Sequence, residues 1–209
     1  MATHVTLHPQ HPQPYQVQKL VTALQGGAVI LYPTDTVYAI GCDLHSRPAV
    51  SRVRQIKRDA SGKPLTFLCP SLATIARYAQ VSDANYRVMR RLVPGPYTFI
   101  LPATKLVPRL VQDPKRKTTG LRVPDHPLCQ ALLEGLGNPL ISTSVPGYDQ
   151  EPAGRWGERW ANQVDFILEV DPEPVQQVST ILDLTGDIPV VTRQGQGWEA
   201  IADWLSLRS

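Results

Sequence analysis

The stretch Ile30-Leu31-Tyr32-Pro33-Thr34-Asp35-Thr36-Val37-Tyr38-Ala39-Ile40-Gly41-Cys42-Asp43 carries the reading of the whole chain. A short apolar run, 28–32, breaks at Pro33 into two hydroxyls that flank a carboxylate. Open α/β sheets place their ligand contacts at the carboxyl ends of strands, where such a cluster would sit. Taken alone, the segment reads equally as a capped turn, since Thr and Asp side chains bond nearby backbone groups.

The 209 residues suit one domain with a real core, and 42% of them are hydrophobic. No apolar run approaches a membrane span. Residues 1–14 carry His4, His8, His11 and three prolines without an apolar h-region, which predicts a flexible N-terminal tail rather than a secretory signal. Cys42, Cys69 and Cys129 form no CxxC pair; they fit a reduced, cytoplasmic protein without a disulfide framework or zinc site. Cys42, just past the turn, is either a nucleophile or a small buried residue.

The net charge of +3 conceals an asymmetry. Between residues 47 and 122 there are 16 Lys+Arg against three acids, a net of +13; from 123 to 209 there are four Arg against 13 acids, a net of −9. Such segregation suggests a basic surface facing phosphates, those of a nucleotide or of nucleic acid.

Strand-like and helical patterns alternate along the chain. Strands are predicted at 28–32, 65–69, 97–101, 121–123, 140–143, 164–169, 180–184 and 190–193. Helices are predicted at 15–25, from Pro48 through Ile56, from a Ser71 cap through Tyr78, from an Asp83 cap through Val93, at 106–111, and at 126–136 before Gly137. A mixed α/β sheet in a single domain follows. Neither GxGxxG nor GxxxxGK[ST] occurs, so a bound nucleotide would need another cradle.

Further blocks appear in order: Lys63-Pro64-Leu65, Pro94-Gly95-Pro96-Tyr97-Thr98, Gly120-Leu121-Arg122-Val123-Pro124-Asp125-His126-Pro127, Ser142-Thr143-Ser144, Ser179-Thr180-Ile181-Leu182-Asp183 and Arg193-Gln194-Gly195. With the Thr34 turn they resemble the YrdC-domain family of threonylcarbamoyl-AMP synthases. Leu68-Cys69 and Lys115-Arg116-Lys117-Thr118 resemble its YciO-like branch. The resemblance spans 15–197 and leaves 198–209 as a C-terminal helix or tail. It implies a twisted, open, mixed sheet flanked by helices (DHBP-synthase-like) with a basic concave cleft.

The implied activity joins L-threonine, bicarbonate and ATP, with Mg²⁺, into threonylcarbamoyl-AMP and pyrophosphate. A transfer complex then delivers the carbamoyl group to an adenosine of tRNAs that read codons starting with A. By the same resemblance, Thr36, Arg122, Ser142 and Ser179 would hold threonine. Lys63, Thr118, Ser144 and Arg193 would line the ATP side, and Lys57, Arg58 and Ser144 would act on the reacting phosphate. Double-stranded RNA or tRNA is a further implied partner.

Two segments depart from the family pattern. Lys57-Arg58-Asp59 stands where Lys-Gly-Arg is usual, and Ser144-Val145-Pro146 where Ser-Ala-Asn is usual. A carboxylate at 59 opposes a triphosphate unless it turns to solvent. Two alternatives therefore stay open: a non-catalytic RNA-binding paralogue, and a nucleotide-dependent enzyme acting on another acceptor.

Overall fold

The computed structural model describes residues 1–58, 65–113, 115–145, 159–172, 174 and 177–206. In chain order the elements are β1 (Thr3–Thr6), α1 (Pro14–Gln25), β2 (Val29–Tyr32), β3 (Ala39–Asp43), α2 (Arg47–Arg58), β4 (Thr66–Leu68), α3 (Leu72–Tyr78) and α4 (Asp83–Met89). There follow β5 (Tyr97–Pro102), β6 (Thr118–Arg122), α5 (Pro127–Leu136), β7 (Leu140–Ser144), β8 (Phe166–Glu169), β9 (Thr180–Asp183), β10 (Val190–Arg193) and α6 (Glu199–Ser206). The strands form one ten-stranded mixed sheet in the order β1-β8-β2-β3-β7-β4-β6-β5-β9-β10. Among the described residues no helix is long and apolar enough to cross a membrane.

Side chains alternate across a strand, so the register assigns each residue to a face. Gly120 pairs with Thr66 and Ile100, Thr66 with Ser142, and Ser142 with Gly41. Those residues share one face with Tyr32, Ala39, Leu68, Arg122, Leu140 and Ser144, which lie an even number of steps along the same strands. At one end this face is apolar. Ile30, Tyr32, Ala39, Leu68 and Leu140 pack there against Leu20 and Leu24 of α1 and Leu128, Leu132 and Leu136 of α5. Toward β6 it turns polar while staying largely buried: Thr66, Thr118, Gly120, Arg122 and Ser142 replace the aliphatics.

The opposite face is mainly apolar, with Leu31, Ile40, Phe67, Ile141, Leu121 and Phe99 covered by Val53 of α2, Ile75 of α3 and Met89 of α4, and with Thr119 and Thr143 buried among them.

Local signals explain the helix boundaries. Pro14 and Pro127 open α1 and α5 at the position where a missing N–H costs nothing. Gly137, at φ 69°, closes α5 in the left-handed conformation that glycine adopts freely. Ser71 caps α3 by accepting from the Thr74 amide at 3.4 Å. The cap of α4 is Ser82, not Asp83, and that helix ends at Met89 rather than reaching 93.

Other expectations are corrected. Residues 3–6, placed above in a flexible tail, form β1, a parallel edge strand on β8, with His4 joined to Glu169 at 2.8 Å. Residues 106–111 form turns, not a helix. The strand β3 has no counterpart among the predicted elements, because Ala39-Ile40-Gly41-Cys42-Asp43 lacks the β-branched density that marks strands.

Phe67 sits in the middle of β4 with no exposed surface, its ring 5.5 Å from that of Tyr78. Phe67→Ala is expected to lower the free energy of unfolding by about 3–5 kcal/mol, because a cavity opens under the centre of the sheet. Urea unfolding followed by circular dichroism measures it.

Candidate functional site

The loop after β2 folds around its own hydroxyls. Thr34 donates to the Val37 carbonyl at 2.8 Å and accepts from the Thr36 amide at 3.1 Å. With that proton committed, the Thr36 hydroxyl donates to Thr34 across 3.0 Å. Its lone pairs then face Arg122, whose Nη1 donates to Thr36 Oγ1 at 2.8 Å. The chain of donors runs from guanidinium to Thr36 to Thr34 to backbone, each proton with one destination.

Arg122 is the last residue of β6 and only 6% exposed. Its Nε donates to the Gly95 carbonyl at 3.3 Å, and Nη2 lies 2.7 Å from Asp35 Oδ1. That ion pair is out of line for a hydrogen bond. Nη2 and both Asp35 oxygens are therefore left without an aligned partner, although all three are buried. Buried polar groups left in this way are costly and mark a place where a ligand can gain by aligning with them.

A second cation stands nearby. Arg193 ends β10 and clamps Ser179, donating from Nε to its carbonyl at 2.9 Å and from Nη2 to its hydroxyl at 2.9 Å. Ser179 Oγ is also 2.9 Å from Thr98 Oγ1 on β5. The close run of chain beyond Arg193 needs glycine: a Cβ at Gly195 would collide with the Val178 carbonyl and come within 2.6 Å of that of Ser179. Burial lowers the Arg193 pKa, and the Arg122 charge lowers it further. Among the described residues no carboxylate pairs with Arg193. Two guanidiniums that repel each other are a setting for an anion.

The other predicted residues are distributed as follows. Ser142 is buried on β7 with its Oγ 2.7 Å from the Tyr32 hydroxyl. Thr118 is buried at the start of β6, and Ser144 is exposed at the end of β7, both on the hydroxylic face. Lys57 is half-buried in the last turn of α2. Lys63, Asp59 and Pro146 lie outside the described residues, as does the Arg58 side chain. Thr36, Arg122, Ser179 and Arg193 are thus drawn into one polar cluster, with Ser142 and Thr118 further along the same face.

Several residues in this cluster had no assigned role in the sequence reading. Asp35 stood in view between its two threonines. Gly95, Thr98 and Tyr32 carried no signal of their own, since each becomes relevant only through a neighbour on another strand. The N-cap of α5, His126, is another: its Nδ1 is buried without a partner. Cys42 is no nucleophile, because burial pushes its thiol up to about 12, with Asp43 adding to the shift.

No group of three His, Cys, Asp or Glu side chains among the described residues could hold a metal ion. Mg²⁺ enters nucleotide sites largely on substrate phosphates, with its own waters, and does not require such a cage.

A family model described as "Sua5_yciO_yrdC: Telomere recombination" matches residues 22–195. The Escherichia coli K12 protein YciO, itself called uncharacterized, is 39% identical over 201 residues, covering 94% of this chain and 97% of its own. Its crystal structure superposes with a TM-score of 0.88 over the same shares. A threonylcarbamoyl-AMP synthase of Vibrio vulnificus is 36% identical over 132 residues, 62% of this chain and 70% of the synthase. The crystal structure of P. abyssi Sua5 complexed with L-threonine is 22% identical with a TM-score of 0.81, covering 93% of this chain and 58% of Sua5; at that identity it shows the shared fold.

Burial holds the His126 imidazole below its ordinary 6.5 and the Arg122 charge adds to that, against opposing pulls from Asp35 and Asp125. The folded protein therefore keeps His126 neutral while the unfolded chain takes up a proton, so stability is full above 6.5 and is lost as pH falls below it. His126→Gln is expected to flatten that acid-side loss, measured as urea midpoints of both proteins on either side of 6.5.

Proposed function

The chain belongs to the Sua5/YciO/YrdC family, which includes threonylcarbamoyl-AMP synthases, and on that premise we propose that it is itself a synthase of threonylcarbamoyl-AMP. The substrates are L-threonine, bicarbonate and ATP, and the work belongs to the threonylcarbamoyl modification of tRNA. One observation carries the proposal: Arg122, buried, and Arg193, half-buried, repel each other and are held by Thr36 and Ser179, with Arg122 Nη2 unaligned to any acceptor.

The chemistry calls for such a site. The threonine amine attacks the carbon of bicarbonate, a C–N bond forms, the amine loses a proton and one oxygen departs as water. An oxygen of the resulting carbamate then attacks the α-phosphorus of ATP. A P–O bond forms there while the bond to the β-phosphate breaks, and pyrophosphate leaves. Two anions must meet, so catalysis rests on positioning and on cations that offset their repulsion.

Arg122 takes the threonine carboxylate in this reading, with Thr36, Ser142 and Ser179 completing the threonine pocket. A planar guanidinium suits a carboxylate because two parallel N–H groups can meet two oxygens. Arg193, Thr118 and Ser144 take the ATP side, joined by Lys57, Arg58 and Lys63 from α2 and the segment beyond it. Mg²⁺, arriving with ATP, would offset phosphate charge. The L-threonine held by P. abyssi Sua5 on the same fold supports the assignment of the acceptor.

Purified protein is expected to release pyrophosphate from ATP only when L-threonine and bicarbonate are both present. Arg122→Ala should cut that release about 100-fold or more, the scale of losing a charge-assisted pair, while ATP binding by calorimetry persists. Pyrophosphate release indifferent to threonine would instead identify an enzyme acting on another acceptor.

A further inference from the structure

Tyr32 is the last residue of β2, has no exposed surface, and belongs to none of the substrate contacts assigned above. Its ring does not stay over its own strand. A Cβ at Gly41, on β3, would lie 2.9 Å from Tyr32 Cε1 and 3.3 Å from its hydroxyl oxygen, so the ring occupies the space that a side chain at 41 would take. Crossing β3 at that gap brings the phenol to β7, where its oxygen is 2.7 Å from Ser142 Oγ. Among the described residues this is the one hydrogen bond that either side chain makes.

We propose that Tyr32 is a positioning residue: its phenol donates to Ser142 Oγ and so turns the serine proton toward the substrate, making Ser142 a donor for a substrate oxyanion. The inference rests on the assignment of Ser142 to the threonine pocket in the preceding section. A phenol O–H is a stronger donor and a weaker acceptor than an aliphatic hydroxyl, which sets the direction of the bond. Burial raises the Tyr32 pKa, so the phenol keeps that proton at any pH at which the protein works. Ser142 then holds its own proton in a site with no acceptor for it among the described residues. A carboxylate or carbamate oxygen supplies one. Without Tyr32 the serine hydroxyl would be free to rotate, and its donor would be lost to the substrate for part of the time.

The arrangement also accounts for Gly41. Its φ is not in the left-handed region, so conformational freedom is not what the position requires. What it requires is the absence of a Cβ between the tyrosine ring and the Ile141 carbonyl, each 2.9 Å from where it would lie.

A double-mutant cycle on L-threonine binding, read by calorimetry with the full-length protein, tests this. Tyr32→Phe keeps the ring and is expected to weaken L-threonine binding about five- to tenfold, the scale of one neutral hydrogen bond, with ATP affinity unchanged. In a Ser142→Ala background the same change should cost nothing further, because the phenol acts through the serine. A purely structural role predicts the reverse: equal effects in both backgrounds and a parallel loss of ATP affinity, and either result overturns the inference. If wild type binds L-threonine and Arg122→Ala abolishes it, but Tyr32→Phe has no effect, the inference falls alone. If wild type does not bind L-threonine, the proposed function falls and takes the inference with it.

Discussion

A guanidinium with 6% of its surface exposed is the constraint around which the rest of this molecule is arranged. A charge so deep in the protein needs partners, and Arg122 collects them from two separate parts of the chain: Thr36 and Asp35 from the loop after β2, and Gly95 from the turn before β5. Removing a partner from such a group is far more costly than the net worth of the pair. The loop after β2 therefore cannot relax independently of β6, although the two segments are separated by some 86 residues of sequence. The pairing with Asp35 is close but misaligned, so the guanidinium is neutralised without being saturated. That combination lets it be stable in the free protein and still have a donor left for a ligand.

The sheet supplies the second condition. One of its faces is covered by the apolar layer of α2, α3 and α4, and the other by α1 and α5 at one end. Where that helical cover stops, the residues at the same alternation change from Leu and Ile to Thr, Ser and Gly. The change happens within single strands: β7 runs Leu140, Ser142, Ser144 on this face, and β4 runs Leu68, Thr66. Each such strand is packed at one end and polar at the other. Its apolar end anchors it, so the polar end is held in place by the core rather than by a flexible loop.

How much of this could be read from the sequence depends on whether the determining partner is near in the chain. Most strands and helices were legible because their signals are local: an apolar run for 97–101 and 180–184, Ser71 before its helix, Gly137 after one. Arg122 drew attention because a charge closing an apolar strand calls for a partner, and Thr36 because hydroxyls follow a strand end. The strand β3 was not legible, since Gly41 is small for the sake of a ring on β2. Tyr32 looked like any core aromatic. Asp35 could be seen but not interpreted, because what distinguishes it is its distance to a residue on another strand. Likewise, nothing in residues 3–6 hints at pairing with Phe166 and its neighbours. Four exposed or half-exposed residues look like a tail until the acceptor strand is known.

That pairing carries a consequence for how the protein is made. Among the described strands β1 pairs with β8 alone, and its register joins Thr3 to Phe166. During synthesis β1 therefore leaves the ribosome with no template until β8, more than a hundred residues later, has followed it. The centre of the sheet can assemble earlier, because β2 and β3 form a hairpin as soon as both have emerged. A strand made early is thus among the last to find its place. Until then the edge of β8 that will receive it is open, at the stage when a growing polypeptide is most exposed to wrong partners.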